Sequence, residues 1–302
     1  MRSLRSVKMF VCNLNMNGFV FIDKPRGLTS FDLVREVRNL SGEKKVGHSG
    51  TLDPLATGLM LLALGEGTKL LEYLIGHGKE YEVLAHFGHE SDTYDAEGKI
   101  SEVDKDIVVS EDAILAIISE KFLGKIKQVP PKYSALKIDG KKAYELAREG
   151  KKVEMKERDV DIHEFELLEY NWPRLKFRIS CGSGTYIRSL VHDLGIEFKC
   201  GAYVEELRRT KIDEFLLKES CELDELSKNF EQRVVSLEDV ARKFSVFELS
   251  DADFDGLKDG RVLLGKKIEQ AQPVMAFYKD ELVGILNEID GGGIKYKKMI
   301  FS

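Results

Sequence analysis

The chain has 302 residues, a formal net charge of −6, 43 % hydrophobic and 32 % charged residues. This length and balance exclude a disordered or low-complexity protein and fit one large domain plus a small one, or two of moderate size. The negative charge argues mildly against a nucleic-acid partner, but a local basic patch sets phosphate affinity, and the whole-chain average does not.

The apolar stretch Met9–Cys12 is too short for a signal-peptide core, and no apolar run reaches the length of a membrane span. Residues 1–15 read as an extension, or as a start codon placed too far upstream, because the strand pattern begins after Met16. A short strand around Phe19 and Phe21 ends at Asp23-Lys24-Pro25. Thr29 or Ser30 then caps a helix with Leu33, Val34 and Val37 on one face. A Gly-rich segment, 47–58, leads into the apolar run Leu59–Leu64, which is too short to classify by period. Glu80–Phe87 has β character and precedes a polar turn, Gly88 to Gly98. His86 and His89, three apart on that strand, would face opposite ways and make a poor metal pair. Residues 111–122 predict a helix. The stretch 124–140, with Pro130-Pro131, predicts a long loop, and helix signals resume at 141–149. Strands are predicted over Val153–Tyr170, Leu175–Cys181 and Tyr203–Lys211, with a helix at Thr185–Phe198 between the last two. From 247 onward, short β patterns at Arg261–Leu264, Pro273–Tyr278, Leu282–Leu286 and Ile294–Phe301 suggest a small β module.

Cys12, Cys181, Cys200 and Cys221 show neither CxxC pairing nor metal-type spacing, as expected of reduced thiols in a cytosolic protein. A basic cluster, Lys121, Lys125, Lys127, Lys132, Lys137, Lys141 and Lys142, surrounds a single carboxylate, Asp139. It suits RNA contact.

The chemistry points to Gly47-His48-Ser49-Gly50-Thr51-Leu52-Asp53-Pro54-Leu55-Ala56-Thr57-Gly58. Glycines there permit unusual backbone angles and close approach of another chain. A lone Asp on such a loop can act as nucleophile or base. It can also merely organise an Asx-Pro turn, and on composition alone the turn is the better reading.

The order of segments changes that weighting. Asp23-Lys24-Pro25 with Gly27-Leu28-Thr29-Ser30 is followed by the 47–58 motif, then by Gly65-Glu66-Gly67-Thr68-Lys69-Leu70 and Lys79-Glu80-Tyr81. The turn 91–98, the segment 128–137, Gly184-Thr185-Tyr186-Ile187-Arg188 and Leu207-Arg208-Arg209 complete the series. From about Gly18 to Thr210 this resembles the bacterial TruB family of tRNA pseudouridine synthases. One departure is Ser49, where the family usually has Thr; the hydroxyl is kept.

The resemblance implies an α+β catalytic domain over 16–246, with a large, mainly antiparallel sheet flanked by helices. A small PUA-like β domain over 247–302 would follow and contact the tRNA acceptor stem. The basic stretch Lys295–Lys298 suits that contact, whereas Asp251, Asp253, Asp255 and Asp259 suit it poorly. The implied reaction isomerises a tRNA T-loop uridine, at position 55, to pseudouridine, with no cofactor and no metal. Asp53 falls on the catalytic aspartate, Tyr81 on the tyrosine packing against the base, and Arg188 on the arginine pairing with the aspartate. Leu207 falls on an apolar pocket residue, and His48 on a histidine meeting the T-loop. Lys24 and Pro25 belong to a motif supporting the active-site floor. The implied enzyme is a cytoplasmic monomer acting on tRNA without an obligatory protein partner.

Physical chemistry agrees with these roles. A uridine inside a folded loop is reached by extruding it, at a cost of a few kcal/mol, and stacking on an aromatic returns about 1–3 kcal/mol per base. A carboxylate beside an apolar pocket drifts toward protonation, and a neighbouring guanidinium opposes that. Three competing readings share the motif or the carboxylate: a guide-RNA-dependent synthase, a tRNA-folding factor, and a base-excising glycosylase that would release free uracil.

Overall fold

The computed structural model describes residues 16–300 except 77, 105, 135, 139, 150–153, 270–272, 290 and 291. The expected extension, 1–15, lies outside the described residues. The chain begins with β1 (Gly18–Lys24), α1 (Ser30–Ser41), β2 (Val46–His48) and β3 (Thr57–Leu64). Next come α2 (Leu71–Ile75), β4 (Lys79–Phe87), and a hairpin of β5 (His89–Ser91) and β6 (Ile100–Glu102). They are followed by α3 (Glu111–Lys121), β7 (Gly124–Gln128), β8 (Lys137–Ile138), β9 (Lys141–Lys142) and α4 (Ala143–Arg148). The middle of the chain forms β10 (Arg158–Asn171), β11 (Arg174–Cys181), α5 (Ile187–Glu197) and β12 (Ala202–Ile212). After β13 (Phe215–Leu216), β14 (Cys221–Glu222), α6 (Leu223–Lys228) and α7 (Leu237–Ala241), the chain closes with β15 (Ser245–Glu248), α8 (Asp251–Lys258), β16 (Val274–Tyr278), β17 (Glu281–Glu288) and β18 (Ile294–Met299).

One large mixed sheet carries the molecule, in the order β14-β1-β3-β12-β4-β11-β10-β7, with β2 on β3 and β13 on β12. Most neighbours are antiparallel; β1 with β14 and β3 with β12 are parallel. One face packs against the helices, with Leu33 and Val37 of α1, Ile114 of α3 and Leu190 of α5 in its core. The other face, at the β1–β3 end, meets the C-terminal sheet β15-β16-β17-β18. There Phe19, Phe21, Leu59 and Leu61 join Met275, Phe277 and Ile285 in one core. That sandwiching explains the unbroken apolar run of β3. Leu59 through Leu64 are fully buried because both faces are covered, so no alternation is required. Each leucine contributes roughly 1.5–3 kcal/mol of burial.

Local signals agree with the elements. Thr29 caps α1 and forms a reciprocal capping box with Asp32. The structure departs from the sequence expectations at four places. Residues 124–140 are not one long loop, because Gly124–Gln128 forms the edge strand β7 against β10. Its Lys125 and Lys127 are exposed, and edge strands are commonly lysine-bearing because charge blocks further pairing. Arg261–Leu264 is not a strand; only Leu263 bridges Ile294. The aspartates after Ser250 start an unpredicted helix, α8, in which Ser250 and Asp253 form a capping box. His86 and His89 do not point apart: their rings lie 5.2 Å between centroids, because Gly88 at φ 85° turns the chain between them.

Candidate active site

The loop bearing Asp53 is tied down from several directions. Lys24, at the end of β1 and fully buried, donates from Nζ to the carbonyls of Ala56 (2.6 Å), Pro25 (3.1 Å) and Pro54 (3.3 Å). Burial pushes its pKa down to about 8, against the pull of Asp53. Ser30 Oγ, in the first turn of α1, accepts from Leu52 N at 2.8 Å, and Gly27 N donates to Pro54 O at 2.8 Å. From the other side, fully buried Arg209 donates to Leu59 O (2.8 Å) and Gly50 O (3.3 Å). Gly58 has φ 100°, and a Cβ there would lie 2.3 Å from Arg209 O. The glycine is thus required both by its backbone angle and by the approach of β12.

The loop forms one wall of a cleft of about 350 Å³. Its lining includes Asp53, Tyr81, Arg188, Leu207, Arg209 and Lys79, with the segment 182–187 opposite. Asp53 keeps 36 % of its side-chain exposure. Its Oδ2 lies 3.0 Å from Arg188 Nε. Desolvation in the cleft raises the Asp53 pKa, and Arg188 opposes this without cancelling it. Arg188 itself is buried on α5. Its Nη1 donates to Asp95 Oδ2 at 3.0 Å and Thr93 O at 2.8 Å, and its Nη2 to Tyr133 O at 2.9 Å. One guanidinium therefore joins the Asp53 carboxylate to the turn 91–98 and to the segment after Pro131.

Tyr81 reaches the cleft from β4, where it is opposite Arg209 in register. Burial raises its hydroxyl pKa, so the phenol stays neutral. Leu207, on β12, adds an apolar surface beside it. The structure thus brings Asp53, Tyr81, Arg188 and Leu207 into one cleft. Lys24 lies beneath the loop, where Pro25 contributes a carbonyl to its cage. His48, on β2, is not part of the cleft lining. It is half-buried, and its Nδ1 accepts from Gly50 N at 3.3 Å. Burial and then Arg209 lower its pKa, so the ring is neutral near pH 7.

The family model described as TruB family pseudouridylate synthase (N terminal domain) matches residues 38–187. The model described as tRNA pseudouridylate synthase B C-terminal domain matches 188–244. The chain belongs to the TruB family. The tRNA pseudouridine synthase B of Clostridium tetani is 37 % identical over 94 % of this chain and 100 % of its own length. That of Aquifex aeolicus is 38 % identical over the same shares. The fold is also that of a solved Cbf5-Nop10-Gar1 complex (TM-score 0.72, 25 % identity, covering 93 % of this chain and 84 % of that one). It is shared too with an H/ACA RNP bound to a substrate RNA containing 2′-deoxyuridine (TM-score 0.71, 23 % identity, 94 % and 85 %).

Two residues of this TruB site carry no assigned role in the sequence reading. Asp95 sits in the turn 91–98, whose Asp, Thr and Gly residues read as a simple loop; nothing local signals that it reaches Arg188, 93 positions later. Arg209 looks like any basic strand residue. Its signal is its pairing with Gly58 across parallel strands, which only the fold reveals.

Proposed function

We propose that this chain isomerises uridine to pseudouridine in tRNA, at position 55 of the T-loop, with Asp53 as the reacting carboxylate. The observation that carries this reading is the Asp53–Arg188 ion pair at 3.0 Å, in a cleft that also presents Tyr81 and Leu207, in a chain of the TruB family. A base enters such a cleft only when extruded from its loop. Tyr81 and Leu207 then offer an aromatic and an apolar surface to its faces. Arg188 orients Asp53 and favours its ionised form. In the reaction the bond from C1′ to N1 breaks and one from C1′ to C5 forms. C5 loses a proton and N1 gains one, so the balance closes without an electron or group donor.

Residues 16–246 would form the catalytic domain and 247–302 a PUA-like module meeting the acceptor stem. In support, Lys295 and Lys297 are exposed on β18. Lys297 Nζ lies 5.0 Å from the Tyr73 ring centroid on α2, and Ile75 of that helix reaches the cleft. This places β18 beside the helix that borders the cleft. The enzyme would act as a cytoplasmic monomer without an obligatory protein partner. No helix among the described residues is long and apolar enough to cross a membrane.

The test is nucleoside analysis of an unmodified tRNA transcript incubated with purified protein alone. Pseudouridine at position 55 is expected, with no free uracil. Free uracil would point to a glycosylase. No change in a bound tRNA would leave a folding factor, and a requirement for added protein or guide RNA would indicate the guide-dependent branch.

A further inference from the structure

The cleft holds a third arginine besides Arg188 and Arg209, and it faces segment 182–187. Arg158, at the start of β10, lines the same cleft as Asp53. Its guanidinium lies over the Tyr186 ring, 4.8 Å from the centroid, and donates through Nη2 to Gly184 O. Its strand neighbour Gln128 fixes the other side of this assembly. The Gln128 side chain is almost fully buried; its Nε2 donates to Tyr186 O at 3.0 Å, and its Oε1 accepts from Tyr186 N at 2.8 Å. The arginine is thus held by a ring and a carbonyl on a segment that is itself clamped.

What is missing is a counter-charge. Arg188 faces two carboxylates. Among the described residues, no carboxylate lies within ion-pair distance of Arg158. Gly184 O is its one hydrogen-bond acceptor there, and Nε is buried with none. Of its five N–H donors, most are left for a ligand. The facing wall, Gly182-Ser183-Gly184, is made of small residues, and even a Cβ at Gly184 would stand 3.8 Å from the guanidinium. A preorganised, uncompensated fork beside a small-residue wall matches a phosphodiester.

We propose that Arg158 grips a backbone phosphate of the extruded nucleotide, setting the depth at which the uridine enters the cleft. This rests on the tRNA reading above. Arg158 is then a substrate-positioning residue; the chemistry stays with Asp53.

The experiment measures Kd for an unmodified tRNA transcript across a KCl series, with kcat and KM in parallel, for wild type, Arg158→Gln and Arg158→Lys. Glutamine keeps an amide to donate to Gly184 O but removes the charge. The proposal expects Arg158→Gln to bind about tenfold more weakly at low salt. Its slope of log K against log salt should be shallower by roughly 0.7–0.9, the loss of one phosphate contact. Its kcat should fall together with the slope, since the uridine is no longer held at its proper depth. Arg158→Lys should restore the slope but not the full affinity, since it keeps charge and loses the fork. An unchanged slope in Arg158→Gln with a reduced kcat would overturn the proposal, placing Arg158 against the base or only under the loop. If Arg158→Gln does not fold, Arg158→Lys carries the test: affinity equal to wild type would overturn it. Wild type failing to bind or modify tRNA would instead sink the tRNA reading itself.

Discussion

Asp53 and Asp95 share one guanidinium: Arg188 Nε lies 3.0 Å from Asp53 Oδ2, and its Nη1 lies 3.0 Å from Asp95 Oδ2. Asp95 is buried and far along the chain from both partners, so its part is to hold Arg188 in place. Replacing Asp95 by Asn removes the charge that anchors Nη1 and loosens the orientation of Asp53. We expect kcat to fall about 10²-fold, the usual cost of a misplaced reacting group, with KM little changed. Asp95 also raises the Asp53 pKa by like charge, so the acid limb of the pH–rate profile should move to lower pH. Steady-state kinetics across pH check both effects.

Asp53→Asn should separate activity from stability. Loss of the proposed reacting carboxylate should cost on the order of 10⁴-fold or more in kcat. Stability should not fall with it. The folded-state pKa of Asp53 is raised, mainly by desolvation, so the folded protein binds this proton more readily than the unfolded chain. Its contribution to stability therefore declines as pH rises from the unfolded toward the folded pKa, and stays low above it. At neutral pH the neutral amide should leave Tm unchanged or higher, with Arg188 still held by Asp95, Thr93 and Tyr133. Thermal melting of wild type and variant at pH 7 tests this.

Lys24 gives the opposite pH signature. Its folded-state pKa is lowered to about 8 by burial, so the unfolded chain holds this proton more tightly. The lysine's contribution to stability should rise with pH between about 8 and the unfolded value near 10.5. Lys24→Met removes that dependence and takes the lysine donor from the carbonyls of Ala56, Pro25 and Pro54, of which Pro54 keeps Gly27 N. Urea unfolding at pH 7 and pH 9.5 should show the wild-type advantage over Lys24→Met growing at the higher pH, and activity should fall in the variant.

Gly58→Ala should damage the fold as well as the site. The new Cβ would meet backbone atoms of Arg209 at 2.3 and 2.7 Å, at a φ that L-residues rarely adopt. Backbone cannot swing aside as a side chain can. A loss of about 1–3 kcal/mol or more is expected from overpacking alone, visible as a lower urea midpoint with unchanged m-value.

The sequence made the Asp53 loop, the capped α1, and the strands bearing Tyr81 and Leu207 legible, because each announces itself locally: glycines around a carboxylate, a Thr–Asp capping box, alternating burial. Other features depend on partners distant in sequence. β3 shows no period because the C-terminal sheet covers its second face. β7 is a five-residue edge strand that opens on Gly124 and stops short of two prolines, too short for a pattern to outweigh its breakers. α8 carries a Ser250–Asp253 capping pair, but the acidic run that follows masks its short apolar face in the sequence. Asp95 and Arg209 are ordinary residues in sequence, and only the folded chain brings them to Arg188 and Gly58.

On the proposed function, Asp53 in this cleft exchanges the N1 linkage of one tRNA uridine for a C5 linkage. The most direct measurement is tritium release from an unmodified tRNA transcript labelled at uridine C5, since the carbon that gains the sugar must lose its hydrogen. Wild type should release tritium, and Asp53→Asn or a transcript with cytidine at position 55 should abolish release. A correctly folded, tRNA-binding wild type that releases no tritium, or an Asp53→Asn variant that releases it at the wild-type rate, would rule out this role for Asp53.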